Sequence, residues 1–472
     1  VIPDELNRRR FLARAAAGFP AIIHARSGAA SDRPNIFWII GDDLGCELSC
    51  YGDRTARTPN MDRLANEGVR FTQLHTTAPV CSASRSAFNV GLYQTTTGTQ
   101  NHRSHRRDGY TLPRGARLIT DRLREQGYFT CNVRQIADGV TGDGKTDFNF
   151  HVEKPFDGTH WSQRKPGQPV YAQINFEAPH KGRMWVEARK QATLVDPAKV
   201  ELPPYYPDHP VVRNEVANYC DTVHLLDRQV GVLLDTLAKD NLLDNSVVFL
   251  FGDNGRCLLR GKQWLYDYGT RVPLIVRWRG VASAGAVRSD PAISLDMTAT
   301  TLAAAGISMP EWFHGRPLFG AGAQSREFIV TARDRCDETI DRIRAVRDRR
   351  YKYIRNFMPE RPYTQPNAYI EGSYPTQRVL KELHAAGKLN AVQELWLAPS
   401  KPPVEFYDTE SDPFEVRNLA NSRQHAPLIA KFSERLDTWI KNTDDKGGIP
   451  EPKEELDQWI KPGPVQARGP GS

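Results

Sequence analysis

Short, wholly apolar runs alternate along this chain with stretches in which apolar residues recur every three or four positions. "NIFWII", residues 35–40, is a run rich in Ile and aromatics ended by Gly41, and predicts a parallel strand covered on both faces. "TPNMDRLANEG" places Thr58 as a helix cap, Pro59 in the first turn, Met61, Leu64 and Ala65 on one face, and Gly68 as the stop. "VRF" then predicts another strand. Further on, Val223, Leu226, Val230, Leu233, Leu234 and Leu237 keep helical spacing, and a turn around Asp244 leads into "SVVFLFGDNG", a second buried strand. This alternation predicts an α/β fold on an open sheet.

The pattern changes after a Gly-rich break, "HGRPLFGAGAQSRE". "RRYKYIRN" predicts a strand, "EFYDTESDP" a strand and turn, and "APLIAKFSERLDTWI" a closing helix with Leu428, Ile429, Phe432, Leu436 and Ile440 on one face. At 472 residues the chain is about three times the usual ~150-residue domain. The expected division is a segment 1–32, a large domain 33–320 and a smaller part 321–472, whose tail after residue 445, rich in Pro, Gly, Glu and Lys, is expected to be loosely ordered.

Charge narrows the partners. A net charge of +7 and a pI near 9.0 favour nucleic acid, an anionic membrane or a sulfated or phosphorylated substrate. No basic tract, finger spacing or aromatic platform is present, which argues against nucleic acid. At the amino terminus, "NRRRFLARAAAGFPAIIHARSGAA" joins Arg8 and Arg9 to Phe11 and Leu12, a short Ala-rich run, and the small residues Ser27, Gly28, Ala29 and Ala30. Residues 1–32 are therefore expected to be a twin-arginine-type signal, and the mature protein periplasmic or secreted. Neither this run nor any later one reaches the ~20 residues of a membrane span. Seven scattered cysteines do not make a disulfide framework.

Two features carry candidate chemistry. Both buried strands end in oxygen ligands, Asp42 and Asp43 after the first, Asp253 and Asn254 after the second. Ligands of open α/β sheets bind beyond the carboxyl ends of the strands, so these four residues are expected to converge there. Oxygen donors without imidazole or thiolate suit Ca²⁺ or Mg²⁺ rather than zinc. Either pair alone is more often a turn or cap pair than a metal-ligand pair. The second feature is "TTAPVCSASRSAFNVG", which sets Cys81 four residues ahead of Arg85 with only small residues between them.

"NIFWIIGDDLG", "GDRTARTPNMDRLANEGVRFTQLH", "CSASR", "APH", "FGDNG" and "EFYDTESDPFEVRNLA" resemble, in order and approximate spacing, the sulfatase family of the alkaline phosphatase superfamily, from about residue 35 to about 440. The resemblance implies a large mixed, mostly parallel sheet sandwiched by helices, with a smaller C-terminal antiparallel sheet and helix. It also implies that Cys81 is the precursor of a formylglycine made by a maturation enzyme. A thiolate would leave a stable S-sulfo adduct, whereas a hydrated aldehyde offers one hydroxyl to attack sulfur and a second to expel sulfate. By the same resemblance Asp42, Asp43, Asp253 and Asn254, with the oxygen of residue 81, hold one divalent cation, Ca²⁺ ahead of Mg²⁺. Arg85 then holds the nucleophile and the sulfate, His180 faces the leaving group, and Lys262 binds sulfate.

One family element is displaced. Sulfatases carry Gly-Lys-x-His shortly after "GY", but here "GYFTCNVRQIADGVTGDGKTDFNF" reaches Gly144, Lys145, Thr146 and Asp147 only after an apparent insertion. An ungapped count puts Gln135 and Ala137 in those places. The gapped reading is preferred, because a cation facing sulfate is otherwise lost and loops accept insertions cheaply. Asp147 then takes the histidine slot, where it orients Lys145 or a sugar hydroxyl.

"TGTQNHRSHRRDGYTLP", with His105 and Arg106, and "TARDRCDETIDRIRAVRDRRYKYIRN", with Arg333, resemble the branch containing heparan N-sulfatases, and imply a glycosaminoglycan-like sulfated saccharide held by His105, Arg106, Asp147 and Arg333. Two other functions fit the same motifs: a phosphodiester or phosphonate hydrolase, and a non-catalytic glycan-binding homologue.

Overall fold

The computed structural model describes residues 33–320 and 322–457; the expected twin-arginine-type segment 1–32 lies outside them. Its strands are β1 Asn35–Gly41, β2 Val69–His75, β3 Phe129–Asn132, β4 Gln135–Ala137, β5 Val140–Thr141, β6 Val170–Phe176, β7 Ser246–Gly252, β8 Arg271–Trp278, β9 Ala286–Arg288, β10 Ala292–Ile293, β11 Ile329–Arg333, β12 Ile343–Arg347, β13 Tyr351–Asn356 and β14 Val404–Asp408. The large sheet runs β10-β2-β8-β7-β1-β6-β3, with β9 also on β2. β1 is parallel to both β6 and β7, and β3 to β6, while β8 alone runs antiparallel to its two neighbours. The expected mixed, mostly parallel sheet is therefore present.

Position in the sheet explains the composition of β1. Its side chains alternate between two cores: Phe37 and Ile39 join one, Ile36, Trp38 and Ile40 the other. A strand covered on both faces reads as an unbroken apolar run. The helices Pro59–Glu67 and Pro210–Lys239 cover the first face with Met61, Leu64, Val223, Leu226 and Val230; Cys81–Val90, Ile119–Glu125 and Leu295–Ala304 cover the second. Thr58 stands at the expected cap position, but its hydroxyl bonds Ser49 and Asp62. Asp227 of the long helix takes the first-turn amides of Asn60 and Met61 instead.

The second sheet is antiparallel, in the order β11-β12-β13-β14. The Ala426–Asn442 helix packs Phe432, Leu436 and Trp439 against Val330, Val346, Tyr353 and Phe406 on one face. Ile343, Ala345, Ile354 and Tyr407 of the other face enter the same core as Leu258 and Trp264, so both parts of the chain share buried contacts. Of the tail expected to be loosely ordered, residues 458–472 lie outside the described residues, and the part before them is fastened. Lys446 N–H donates to the Thr95 carbonyl, Glu451 pairs with Arg335, and Glu455 is buried, so a backbone hydrogen bond and an ion pair tie residues 446–457 to the rest of the chain. No helix of the described residues is long and apolar enough to cross a membrane, and all seven cysteines are free.

Candidate active site

Strand register brings the acidic pairs together. Gly41 and Gly252 are paired neighbours at the ends of β1 and β7, so Asp42 and Asp43 emerge beside Asp253 and Asn254. All four are at most 1% exposed. Asp253 Oδ1 accepts from the backbone N–H of Asp43 and of Asn254, each at 2.9 Å, which ties the two loops to each other. Tyr219 of the long helix donates its hydroxyl to the Asp43 carbonyl at 3.0 Å.

Cys81 is the first residue of a ten-residue helix buried along its whole length. Its Sγ lies 3.4 Å from Asp42 Oδ1, 3.7 Å from Asp43 Oδ1 and 3.2 Å from Lys262 Nζ. Burial pushes the thiol well above its usual pKa, although Lys145 and Lys262 pull the other way. One turn on, Arg85 donates through Nε to Asp253 Oδ2 at 2.8 Å and through one terminal nitrogen to Asn175 Oδ1 at 2.7 Å; its other terminal nitrogen has no hydrogen-bond partner and stands 3.9 Å from Asp42. Ser84 fastens the helix by donating to the Asp253 carbonyl at 2.6 Å.

Lys262 Nζ lies 2.9 Å from Asp43, and Lys145 Nζ 2.6 Å from Asp42. The two candidates for the displaced element are thus separated by geometry. Residues 135–141 form the β4–β5 hairpin, in which Gln135 is exposed and donates to the Ala137 carbonyl, while Lys145 reaches the carboxylates after the chain returns. The return passes Gly142, where a Cβ would stand 2.2 Å from the Val133 carbonyl oxygen, so no other residue fits without a shift. His180 Nε2 stands 3.9 Å from Asp43, and burial, then Lys262, lower its pKa to about 4.

The electrostatics leave a place for a cation. Burial opposes ionisation of Asp42, but Lys145, His180, Arg85 and Lys262 around it hold its carboxyl well below the usual range. Asp253 moves the opposite way: burial, then the charge of Asp42, push it up to about 7. Carboxylates this close resist common ionisation unless a cation joins them. Ligand atoms of Asp42, Asp43, Cys81 and Asp253 all lie within 4.8 Å of one another, and Asn254 Oδ1 is buried without a hydrogen-bond partner. The donor set therefore fits a hard divalent ion.

The expected saccharide residues separate. Asp147, with φ 52°, pairs with Arg106 and lies 3.9 Å from Lys145, at the rim of the cleft. His105 bonds Asp108 at 2.6 Å and the Gly98 carbonyl at 3.1 Å and stacks on Tyr110 with ring centroids 4.0 Å apart, so it braces its loop. With Arg106 it borders a hollow of ≈ 220 Å³. Arg333 does not reach the cleft. Its side chain is wholly buried, pairs with Asp341 at 3.0 Å and lies over the Trp264 ring, because β11 turns it into the second sheet's interior.

Several contributors escaped the sequence reading. Asn175 holds Arg85, and Asp337 accepts from Gln263 at 3.3 Å; His102, in the basic stretch expected to meet the saccharide, instead bonds Ser82 at 2.8 Å beside Cys81. A signal for Asn175 existed: in "VYAQINF" the polar Gln173 and Asn175 lie two apart in a wholly buried strand, hence on one face.

The fold and site define a hydrolase-type centre, a buried cysteine set among carboxylates and lysines at the carboxyl edge of an α/β sheet. A sulfatase family model matches residues 34–307, and one described as N-sulphoglucosamine sulphohydrolase, C-terminal, matches residues 258–364. The chain belongs to the sulfatase family, which implies a formylglycine and a divalent metal. An ulvan-active sulfatase of Formosa agariphila is 32% identical over 475 residues, 89% of this chain and 77% of that protein. N-acetylgalactosamine-6-sulfatase of Homo sapiens is 26% identical over 341 residues, 60% of this chain and 64% of its own. The solved structure of BT4656 in complex with its substrate D-glucosamine-2-N,6-O-disulfate shares the fold, with a TM-score of 0.63 at 18% identity, covering 89% of this chain and 100% of that one.

Proposed function

We propose that this protein hydrolyses sulfate esters or sulfamates of sulfated, glycosaminoglycan-like saccharides, with residue 81 acting as formylglycine and Ca²⁺ held by Asp42, Asp43, Asp253 and Asn254. The observation that carries the reading is the position of Cys81, within 3.7 Å of Asp42, Asp43 and Lys262 at the mouth of the sheet. When bound, the cation polarises a sulfuryl oxygen and the hydrated aldehyde supplies paired hydroxyls, one to attack sulfur and one to release sulfate.

The chain's own side chains do the rest. Arg85, fixed by Asp253 and Asn175 one helical turn after residue 81, keeps its other terminal nitrogen free of hydrogen bonds and so available to orient residue 81 and the sulfate. Lys262 and Lys145 keep their protons, because Asp43 and Asp42 beside them outweigh the burial that would remove the charge. Three cations then balance three carboxylates, and a divalent ion leaves the pocket net positive for a sulfate ester. His180 presents Nε2 to the same space. Burial keeps bulk water from competing for these donors, which is where preorganised charge is worth most.

Two observations favour this over the other functions. Among the described residues the cleft offers one oxygen cluster for one cation, and the relatives that share this chain's sequence over most of its length are sulfatases rather than phosphodiester or phosphonate hydrolases. Lys145 in contact with Asp42 removes the reason for a non-catalytic scaffold. The names of the relatives, an ulvan-active sulfatase and an N-acetylgalactosamine-6-sulfatase, support a saccharide carrying the ester. Export by the Arg8–Arg9 segment to the periplasm or beyond, and a maturation enzyme acting on Cys81, belong to the same proposal and rest on the sequence. The test is sulfate release from defined oligosaccharides together with the intact mass of the peptide around residue 81. An unmodified thiol in protein purified from its native host, with no sulfate released, overturns the reading.

A further inference from the structure

Arg103 stands at this cleft with, among the described residues, nothing for its side chain to hold. Its backbone N–H donates to Ser82 Oγ at 2.8 Å, one residue from the nucleophile, which fixes where its side chain starts. The residue is half-buried, yet among the described residues its guanidinium makes no ion pair, hydrogen bond or ring contact. The charges that act on it are those of Asp147, Asp337, Cys81 and Tyr369, all of which border the cleft. Neither carboxylate makes an ion pair or hydrogen bond with it. Asp147 is held by Arg106 and faced by Lys145, and Asp337 accepts from Gln263 and lies 4.0 Å from His102.

The backbone tells the same story. Asp43, Arg103, Asp147, Gln263 and Asp337 have φ of 58°, 58°, 52°, 77° and 51°, in the left-handed region that side chains larger than glycine avoid. Of the ten such non-glycine residues among those described, these five gather about Cys81: Asp43 lies 3.7 Å from its thiol, Arg103 is tied to Ser82, Asp147 lies 3.9 Å from Lys145, and Gln263, next to Lys262, donates to Asp337. Strain of this kind persists where the surroundings impose it, and it gathers at ligand clamps. An uncommitted guanidinium held in a strained loop between two acids is suited to a substrate group that is itself anionic, with the acids left to take neighbouring sugar hydroxyls.

We propose that Arg103 forms a second anion-binding position beside the sulfate to be cleaved, so that the preferred substrate is a saccharide bearing another carboxylate or sulfate close to its scissile sulfate. This deepens the sulfatase reading and rests on it. The shared chemistry is an oxyanion in reach of a planar fork of donors; a uronate and a second sulfate are the two sources.

Equilibrium binding to the full-length Cys81→Ala variant separates this proposal from the catalytic reading, because it needs no turnover. The probes are three disaccharides with the same sulfate ester, one with a neutral neighbour, one with a uronate neighbour and one with a second sulfate. At least one of the two dianionic probes is expected to bind roughly tenfold tighter than the neutral-neighbour probe, as fits a charge-assisted bidentate contact, and which of them does so identifies the source. Adding Arg103→Asn, a residue that tolerates left-handed backbone, is expected to erase that ratio, and Arg103→Lys to keep part of it. A ratio unmoved by Arg103→Asn, or equal binding of all three probes, or none, overturns the proposal. A matured enzyme that releases no sulfate while the binding ratio stands overturns the catalytic reading instead.

Discussion

Asp42, Asp43, Asp253 and Asn254 grow from two strands in register and are all but inaccessible, whereas Arg103, Arg106 and Asp147 sit on loops and are in part open to solvent. One wall of the cleft is thus framed by the sheet itself. The other is framed by turns whose shape depends on a handful of left-handed residues. The contrast fits the two tasks. Charge stabilisation at a reacting sulfur tolerates little displacement and gains from exclusion of water, so its donors belong on rigid, buried elements. Recognition of a saccharide has to vary without disturbing the chemistry, and loops on a fixed scaffold can do so.

The sheet-borne wall is where substitutions should do most damage. Cys81→Ala is expected to abolish turnover, leaving below a few per cent of the parent rate, while circular dichroism and melting temperature stay near parent values because so small a truncation opens little cavity. Cys81→Ser is expected to fail as well under a cysteine-type maturation system, having no second hydroxyl to release sulfate. Chelation is expected to remove activity and lower the melting temperature, with Ca²⁺ restoring both, since an ion bound only by the folded state stabilises it. Elemental analysis then checks the ligand set. Stoichiometric zinc would move the ion to Asp42, Cys81 and His180, which also lie within 4.8 Å of one another, and would break the oxygen-only account of this wall.

Lys145 tests whether the two walls meet where the structure places them. Lys145→Ala is expected to slow the chemical step by roughly 10²-fold, the scale for losing one preorganised charged donor, and Gln135→Ala to change it little. The reverse result would mean that the β4–β5 hairpin, not the segment after it, serves the sulfate. Asp147→Asn should act on the loop wall alone, raising KM several-fold with a smaller change in kcat, as follows when a substrate hydroxyl loses its acceptor. An equal fall in kcat would transfer Asp147 to the catalytic wall.

The same contrast decides what could be read before the structure was seen. The acid pairs were legible because each follows an apolar run that can only be a buried strand, and sheet topology then forces strand ends together. Cys81 and Arg85 were legible through one helical turn of small residues. Arg333 misled because its segment alternates acids and bases like an exposed loop, while at β11 and β12 those charges pair with one another inside, Arg333 with Asp341 and Arg344 with Asp334. Arg103 could not be told from Arg106 or Arg107 in "NHRSHRR", since what distinguishes it is a backbone angle and the prior commitments of its neighbours.

The smallest effect is expected at His105, which stands on the loop wall but is tied to the loop rather than to the cleft. Its ring joins Asp108 and the Gly98 carbonyl and stacks on Tyr110, whose hydroxyl in turn donates to the Thr97 carbonyl at 2.7 Å. His105→Ala removes a partly exposed set of contacts, each worth about 1 kcal/mol or less, so the melting temperature should fall by a few degrees at most. kcat/KM should stay within about twofold for every sulfated probe, because Arg103 is anchored independently through Ser82. A tenfold rise in KM with an unchanged melting temperature would show that saccharide contacts reach past Arg106 into the adjoining hollow, and that His105, itself left-handed, belongs to the recognition wall.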